Sequence, residues 1–217
     1  MSTIVLHDNA QSSNAQKARL MLDILGVDYE LREVPFGAIR PDWHLAVNPV
    51  GGIPALIDGD FQLAESNTIL RYLADREGRN DLYPRDAQER ATVDWVLDLW
   101  AIVIRPALFR FESLAYGIVP GDGLFAKPCG NADELAPVFD KVAPQIERAI
   151  MVLDPIGPWA CLGRMTIADI AAAPALHRLL HAPVDSQRIP RLQTWAEACV
   201  AIPAWQPLAT ISGVPNR

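Results

Sequence analysis

Two short apolar runs, Ala55-Leu56-Ile57 and Phe61-Gln62-Leu63, stand either side of Asp58-Gly59-Asp60, and this arrangement constrains the chain more than any other feature. Asp-Gly between strand-like segments favours a tight hairpin, because glycine takes a positive φ without steric cost. Two antiparallel strands are expected. Upstream, Thr3 to His7 has the Ile-Val-Leu core of a short buried strand. Ser12-Ser13-Asn14 then offers capping side chains to a helix whose apolar residues Ala18, Met21, Leu22 and Leu25 recur at three- and four-residue steps as far as Gly26. Tyr29 to Val34 alternates apolar and charged residues, the pattern of a half-buried strand. A loop with Pro35, Gly37 and Pro41 and a short helix near Trp43 lead into the hairpin. Glu65 to Arg76 follows as a helix stopped by Gly78. The order is βαβαββα.

Past residue 80 the period changes to helix throughout. The chain divides into an α/β part, 1–80, a linker, 81–87, and an all-α part, 88–217. A long helix from about Ala87 to Ala115 contains Pro106, whose missing donor weakens the bond to Ile102 and predicts a kink near Pro106. A loop, Gly117 to Gly130, precedes a helix from about Ala132 to Leu153. Thr166 and Asp169 form a capping box, which makes Asp169 a folding residue rather than a catalytic acid.

Charge and composition exclude several functions. With a net charge of −7, the chain lacks the basic surface that a phosphate backbone requires, so no nucleic-acid partner is expected. Its most apolar stretch, Met165 to Leu180, is broken by Asp169, Pro174 and Arg178, which excludes a membrane span there. The N-terminal segment lacks the charge layout of a secretory signal. Cys129, Cys161 and Cys199 form no C-x-x-C pair and read as reduced thiols, so a cytoplasmic location is expected. His177 and His181 share a helix face, but no third ligand accompanies them, and no metal site is expected.

Asn48-Pro49-Val50-Gly51-Gly52-Ile53-Pro54, the Asp58-Gly59 hairpin, and Glu65-Ser66 ahead of an apolar helix strongly resemble the glutathione S-transferase family. Ser12 to Lys17, reading Ser-x-Asn-x-x-Lys, and the Thr166 to Asp169 box extend the resemblance along nearly the whole chain, most weakly between Ile118 and Asn131. It implies a thioredoxin-like N-terminal domain followed by an all-helical one, and a cis bond before Pro54. Ile53 and Pro54 would then offer backbone groups to an extended peptide such as glutathione. Glu65 and Ser66, at a helix start, suit the γ-glutamyl carboxylate, since free amides there carry partial positive charge. The resemblance assigns Ser12 to the sulfur, as a hydrogen-bond donor to a thiolate rather than a nucleophile. Ser13 and Asn14 compete for that role, and Asn14 joins Ser12 as a candidate catalytic residue. Gly52 replaces the Lys or Gln that holds the glycyl carboxylate in many relatives, leaving Arg40, His44 or a water to substitute.

The expected activity is attack of the glutathione thiolate on an electrophilic second substrate, with glutathione as co-substrate and no metal. Trp100 and Phe109 are candidates for the electrophile site, and a homodimer is implied. A glutathione-dependent disulfide or peroxide reductase, or a lyase or dehalogenase, is the alternative chemistry. A non-catalytic binding or scaffold protein with the same fold is the alternative class, to which Gly52 lends weight.

Overall fold

The computed structural model describes residues 3–37, 39–155 and 157–214. Strands β1 (Ile4–Asp8), β2 (Tyr29–Glu33), β3 (Ala55–Asp58) and β4 (Phe61–Ala64) form one mixed sheet in the order β2-β1-β3-β4. β1 and β2 run parallel, and the other two pairings are antiparallel. The parallel pair is joined by helix α1 (Ser13–Leu25), because parallel neighbours need a crossover long enough to return the chain to the same edge. A short helix, α2 (Asp42–Leu45), precedes the hairpin, and α3 (Ser66–Arg76) follows it. This is the thioredoxin-like arrangement of a mixed four-stranded sheet with helices.

The register decides what the sheet can hold. His7 at the end of β1 pairs with Ala55 at the start of β3, and Ala55 pairs in turn with Ala64 at the end of β4. The segments beyond these residues, Ala10 to Ser12, Ile53-Pro54 and Glu65-Ser66, therefore emerge at one end of the sheet. Residues far apart in sequence are brought together by pairing alone.

β2 departs from its sequence pattern. Leu31 is 46% exposed, and only Tyr29 within the strand is partly covered. An edge strand has a neighbour on one side, and here little of the chain covers its faces, so alternation did not translate into burial.

Helices α4 (Ala87–Leu99), α5 (Arg105–Ala115), α6 (Ala132–Ile150), α7 (Ile167–His181), α8 (Pro190–Val200) and α9 (Trp205–Ile211) make up the second part. The kink expected near Pro106 takes the form of a π-helical turn one step earlier, at residues Trp100–Ile104 between α4 and α5. Pro106 has no N–H to bond the Ile102 carbonyl, and the wider turn absorbs the missing bond. α7 lies at the centre, with every residue from Ile167 to Leu179 buried. It packs on α1 from the first part and on α4, α5 and α8 from the second. No helix among the described residues is long and apolar enough to cross a membrane.

Candidate glutathione and electrophile site

Ser12 is the N-cap of α1. Its backbone is extended, at φ −80° and ψ 112°, and its Oγ accepts a bond from the Ala15 amide at 3.3 Å. The cap uses an oxygen lone pair, so the hydroxyl proton remains available to a ligand. Ser13 Oγ accepts a bond from the Arg105 guanidinium at 3.3 Å, while the Asn14 side chain stands exposed at the rim. All three residues line a cavity of about 200 Å³, whose walls also include Phe36, Arg105, Phe109, Leu124 and Arg178. Residues from both halves of the chain meet around Ser12.

The second helix start is built differently. α3 begins at Ser66 with no side-chain cap, and Glu65 before it is held at φ +66°. A non-glycine residue in the left-handed region stores strain of about 1–3 kcal/mol, and such residues cluster where a ligand is clamped. The uncapped amides favour an anion. Lys17, on α1, donates to Asn67 Oδ1 at 2.6 Å and ties this helix start to the first. Burial, reinforced by Arg105 and Arg71 and opposed by Glu65, lowers the Lys17 ammonium to about 7.

Between the two helix starts, the Ile53–Pro54 bond is cis, as the resemblance implies. The Gly52 carbonyl just before it accepts from Asn48 Nδ2 at 2.8 Å and from His44 Nε2 at 3.0 Å. Since a carbonyl only accepts, His44 Nε2 carries a proton, and a neutral His44 has its lone pair on Nδ1. His7 Nδ1, 3.0 Å away, must then donate to it. His7 Nε2 is left as a buried nitrogen with no partner. This histidine pair braces the loop ahead of the cis bond.

Trp100 is a correction to the sequence reading, and Arg40 is engaged within its own loop. Arg40 donates through Nε to the Gly51 carbonyl at 3.0 Å and through Nη1 to the carbonyls of Pro35 and Gly37 at 2.8 and 3.0 Å. These bonds stitch the loop from Pro35 to Gly51 together. Trp100 is 1% exposed and packs edge-on against Trp195, ring centres 5.5 Å apart, and it does not line the cavity beside Ser12. Phe109 does line that cavity.

Four charged residues near the site were not singled out beforehand: Lys17, Arg105, Glu112 and Arg178. Glu112 is fully buried and accepts from Arg105 at 3.1 Å and from Arg178 at 3.3 Å. Arg178 also donates to the Gln11 carbonyl at 2.6 Å, which fastens the loop ahead of Ser12 to α7. The available signal was a charged residue inside an apolar helical run, as in Val103-Ile104-Arg105 and Leu176-His177-Arg178. The rings of His177 and His181 lie with centres 4.2 Å apart and planes tilted by 39°, and no group of potential metal ligands is found among the described residues.

Comparison with known proteins identifies the family. A family model described as the N-terminal domain of glutathione S-transferase matches residues 6–81. Maize glutathione S-transferase 3 is 30% identical over 231 aligned positions, covering 99% of this chain and 96% of the maize protein. The chain belongs to the glutathione S-transferase family. A wheat glutathione S-transferase is 28% identical over 90% of this chain and 87% of its own length. Among solved structures, the theta-class glutathione S-transferase of Xanthomonas axonopodis pv. citri with glutathione bound superposes with a TM-score of 0.79 at 27% identity, covering 100% and 99% of the two chains. Within this transferase family member, Ser12, Ile53-Pro54 and Glu65-Ser66 occupy one end of the sheet by virtue of its register.

Two buried histidines, His7 and His177, make stability depend on pH in the acid range. Burial, then the proximity of His44 and Arg32, lowers His7 from 6.5 to about 4. Burial, then His181 and Arg178, does the same to His177. A depressed histidine means that the unfolded chain binds more protons than the native one between about pH 6.5 and 4, so stability rises with pH across that window. Full stability is present above pH 6.5 and falls as the medium is acidified. Urea midpoints should therefore drop between pH 7 and pH 5, and His7→Gln should flatten the dependence; an unchanged slope in that variant would remove His7 as a cause.

Proposed function

We propose that this chain is a glutathione transferase that ionises bound glutathione beside Ser12 and directs the thiolate at an electrophilic carbon in the adjoining cavity. The observation that carries the reading is the meeting of the Ser12 hydroxyl, at the start of α1, with the wall built by Phe109 and Arg105 of α5. A free thiol of pKa near 8.5 is only a few per cent thiolate at neutral pH, and a hydroxyl donor at a helix N-terminus stabilises the anion. The γ-glutamyl carboxylate docks at the amides of α3 beside Ser66, and the peptide backbone docks along Ile53-Pro54. Electrophile binding, a homodimeric assembly and a cytoplasmic setting belong to the same reading. A reductase working through a mixed disulfide on the protein is disfavoured because none of the three cysteines lies near Ser12 in sequence, and Cys161 and Cys199 are buried in the helical part. Burial raises both of these thiols, Cys161 to about 12, which keeps them protonated and unreactive.

The test is retention on immobilised glutathione combined with a rate assay using a generic aromatic electrophile. Binding without turnover would favour the scaffold alternative, and sedimentation analysis reports the dimer.

Gly52 supplies a separate prediction. A Cβ there meets only Asn48 Nδ2, at 3.5 Å, and Gly52 has no positive φ to strain a side chain. Gly52→Lys is therefore tolerated and restores a cation for the glycyl carboxylate. A charge-assisted hydrogen bond contributes about 1.5–3 kcal/mol, so KM for glutathione should fall roughly tenfold or more. An unchanged KM would place the glycyl end elsewhere.

A further inference from the structure

The cavity beside Ser12 carries a charge that thiolate chemistry alone does not call for. Among the described residues its charged lining residues are Arg105 and Arg178, and no carboxylate among them lines it. Glu112 lies behind them, fully buried and bonded to both guanidinium groups, so one negative charge is shared by two positive ones. The three side chains leave a formal excess of +1 at this point of a chain whose net charge is −7. A cationic pocket in an acidic protein favours an anion over a neutral molecule of the same shape.

Arg105 is the residue placed to use that charge. Its side chain is 19% exposed, whereas that of Arg178 is only 3% exposed and is held by Glu112 and the Gln11 carbonyl. A guanidinium has five N–H donors in a planar fork that matches a carboxylate. Arg105 directs one terminal nitrogen to Glu112 and the other to Ser13 Oγ, which fixes its position while leaving N–H groups over for a ligand. The guanidinium also stands 5.1 Å from the centre of the Phe109 ring, so an aromatic surface adjoins the cation. The bond to Ser13 places this group one residue from the proposed thiolate donor. Phe36, Ile118, Val119 and Leu124 supply apolar wall, and the volume of about 200 Å³ limits the occupant to a small molecule.

We propose that the second substrate of this site is a small, flat electrophile bearing one carboxylate, with Arg105 holding the carboxylate while the glutathione thiolate beside Ser12 attacks the electrophilic carbon. This inference rests on the transferase reading. For an activated aryl chloride, the carbon–sulfur bond forms, the carbon–chlorine bond breaks, and chloride leaves with the bonding pair. The thiol proton has already passed to solvent on ionisation. Arg105 is then a specificity residue, and Glu112 a positioning residue that acts through it.

The matched probes are 4-chloro-3,5-dinitrobenzoate and its methyl ester, each kcat/KM being divided by the uncatalysed rate constant with glutathione. The normalised ratio of acid to ester should exceed about ten in the wild type, fall toward one in Arg105→Gln, and be partly restored in Arg105→Lys. A wild-type ratio at or below one overturns the inference while leaving the transferase reading intact, because the ester would still be turned over. Turnover of neither probe overturns the transferase reading, and this inference with it. Should Arg105→Gln fail to fold, inhibition of ester turnover in the wild type at saturating glutathione gives an independent readout. There 3,5-dinitrobenzoate should compete with the ester at least tenfold better than 3,5-dinitrobenzamide, with an advantage that shrinks as salt is added. Equal inhibition by the two overturns the inference.

Discussion

Ser12→Ala is expected to return the thiol of bound glutathione to its ordinary range and to lower kcat/KM at pH 6.5 by about 100-fold, as a shift of two pKa units on a thiol implies. The hydroxyl oxygen is occupied as the α1 cap, but its proton is free, so one group serves both fold and chemistry. Losing the cap itself costs about 1 kcal/mol, too little to unfold the chain. The loss of activity should therefore come without a loss of structure. Following the ultraviolet thiolate band of bound glutathione against pH measures the shift directly. Ser13→Ala is the control, because its Oγ is already engaged by Arg105 and its removal should move the thiol much less. If the thiol pKa is the same in wild type and Ser12→Ala, the assignment of Ser12 fails.

The largest effect on stability is expected at Asp169. Its carboxylate is fully buried and accepts from the amides of Ala160 and Thr166 at 2.8 and 2.7 Å, from Trp195 Nε1 at 2.8 Å, and from the Thr166 hydroxyl at 3.1 Å. It completes the capping box of α7, the helix against which both parts of the chain pack. Asp169→Ala strands several buried donors, each at a cost of about 1–3 kcal/mol, so a total loss on the order of 4 kcal/mol or more is expected. At roughly 2–4 °C per kcal/mol for a chain of this size, Tm should fall by about 10 °C or more. Thermal unfolding followed by circular dichroism checks this, and a Tm within 2 °C of wild type would refute the role. Asp169→Asn should lie between, because it keeps an acceptor for one set of partners and turns a donor toward the other.

Features governed by neighbours in sequence were the most legible. The Asp58-Gly59 hairpin, the Ser12 cap with Gly26 closing α1 at φ +64°, and the Thr166 box all depend on groups within a few residues of each other. Pro106 was legible in kind but not in form. A missing donor announces an interruption, while the π turn at Trp100–Ile104 reflects how the surrounding helices accommodate it. β2 misled because alternation gives the side on which a residue points, and burial depends on whether anything covers that side.

Trp100 and Phe109 show the same division within the site. Both belong to one helical run, and nine residues make about two and a half turns, so the two side chains point in different directions. Periodicity alone does not say which direction meets the cavity. Trp195, nearly a hundred residues further on, decided it by packing on Trp100.

The sequence by itself determined the order of strands and helices up to residue 80, the cap that carries Ser12, the hairpin, the box at Asp169, and the family, because each rests on local backbone chemistry or on a contiguous motif. Tertiary structure alone decided the charge of the cavity. Arg105 and Arg178 lie 73 positions apart, and their meeting over Glu112 follows from α7 packing against α5. It also decided that Arg40 braces a loop and that His7 and His44 form a pair. Hydrogen-bond partners across such distances are set by the packing of whole elements, which no spacing along the chain encodes.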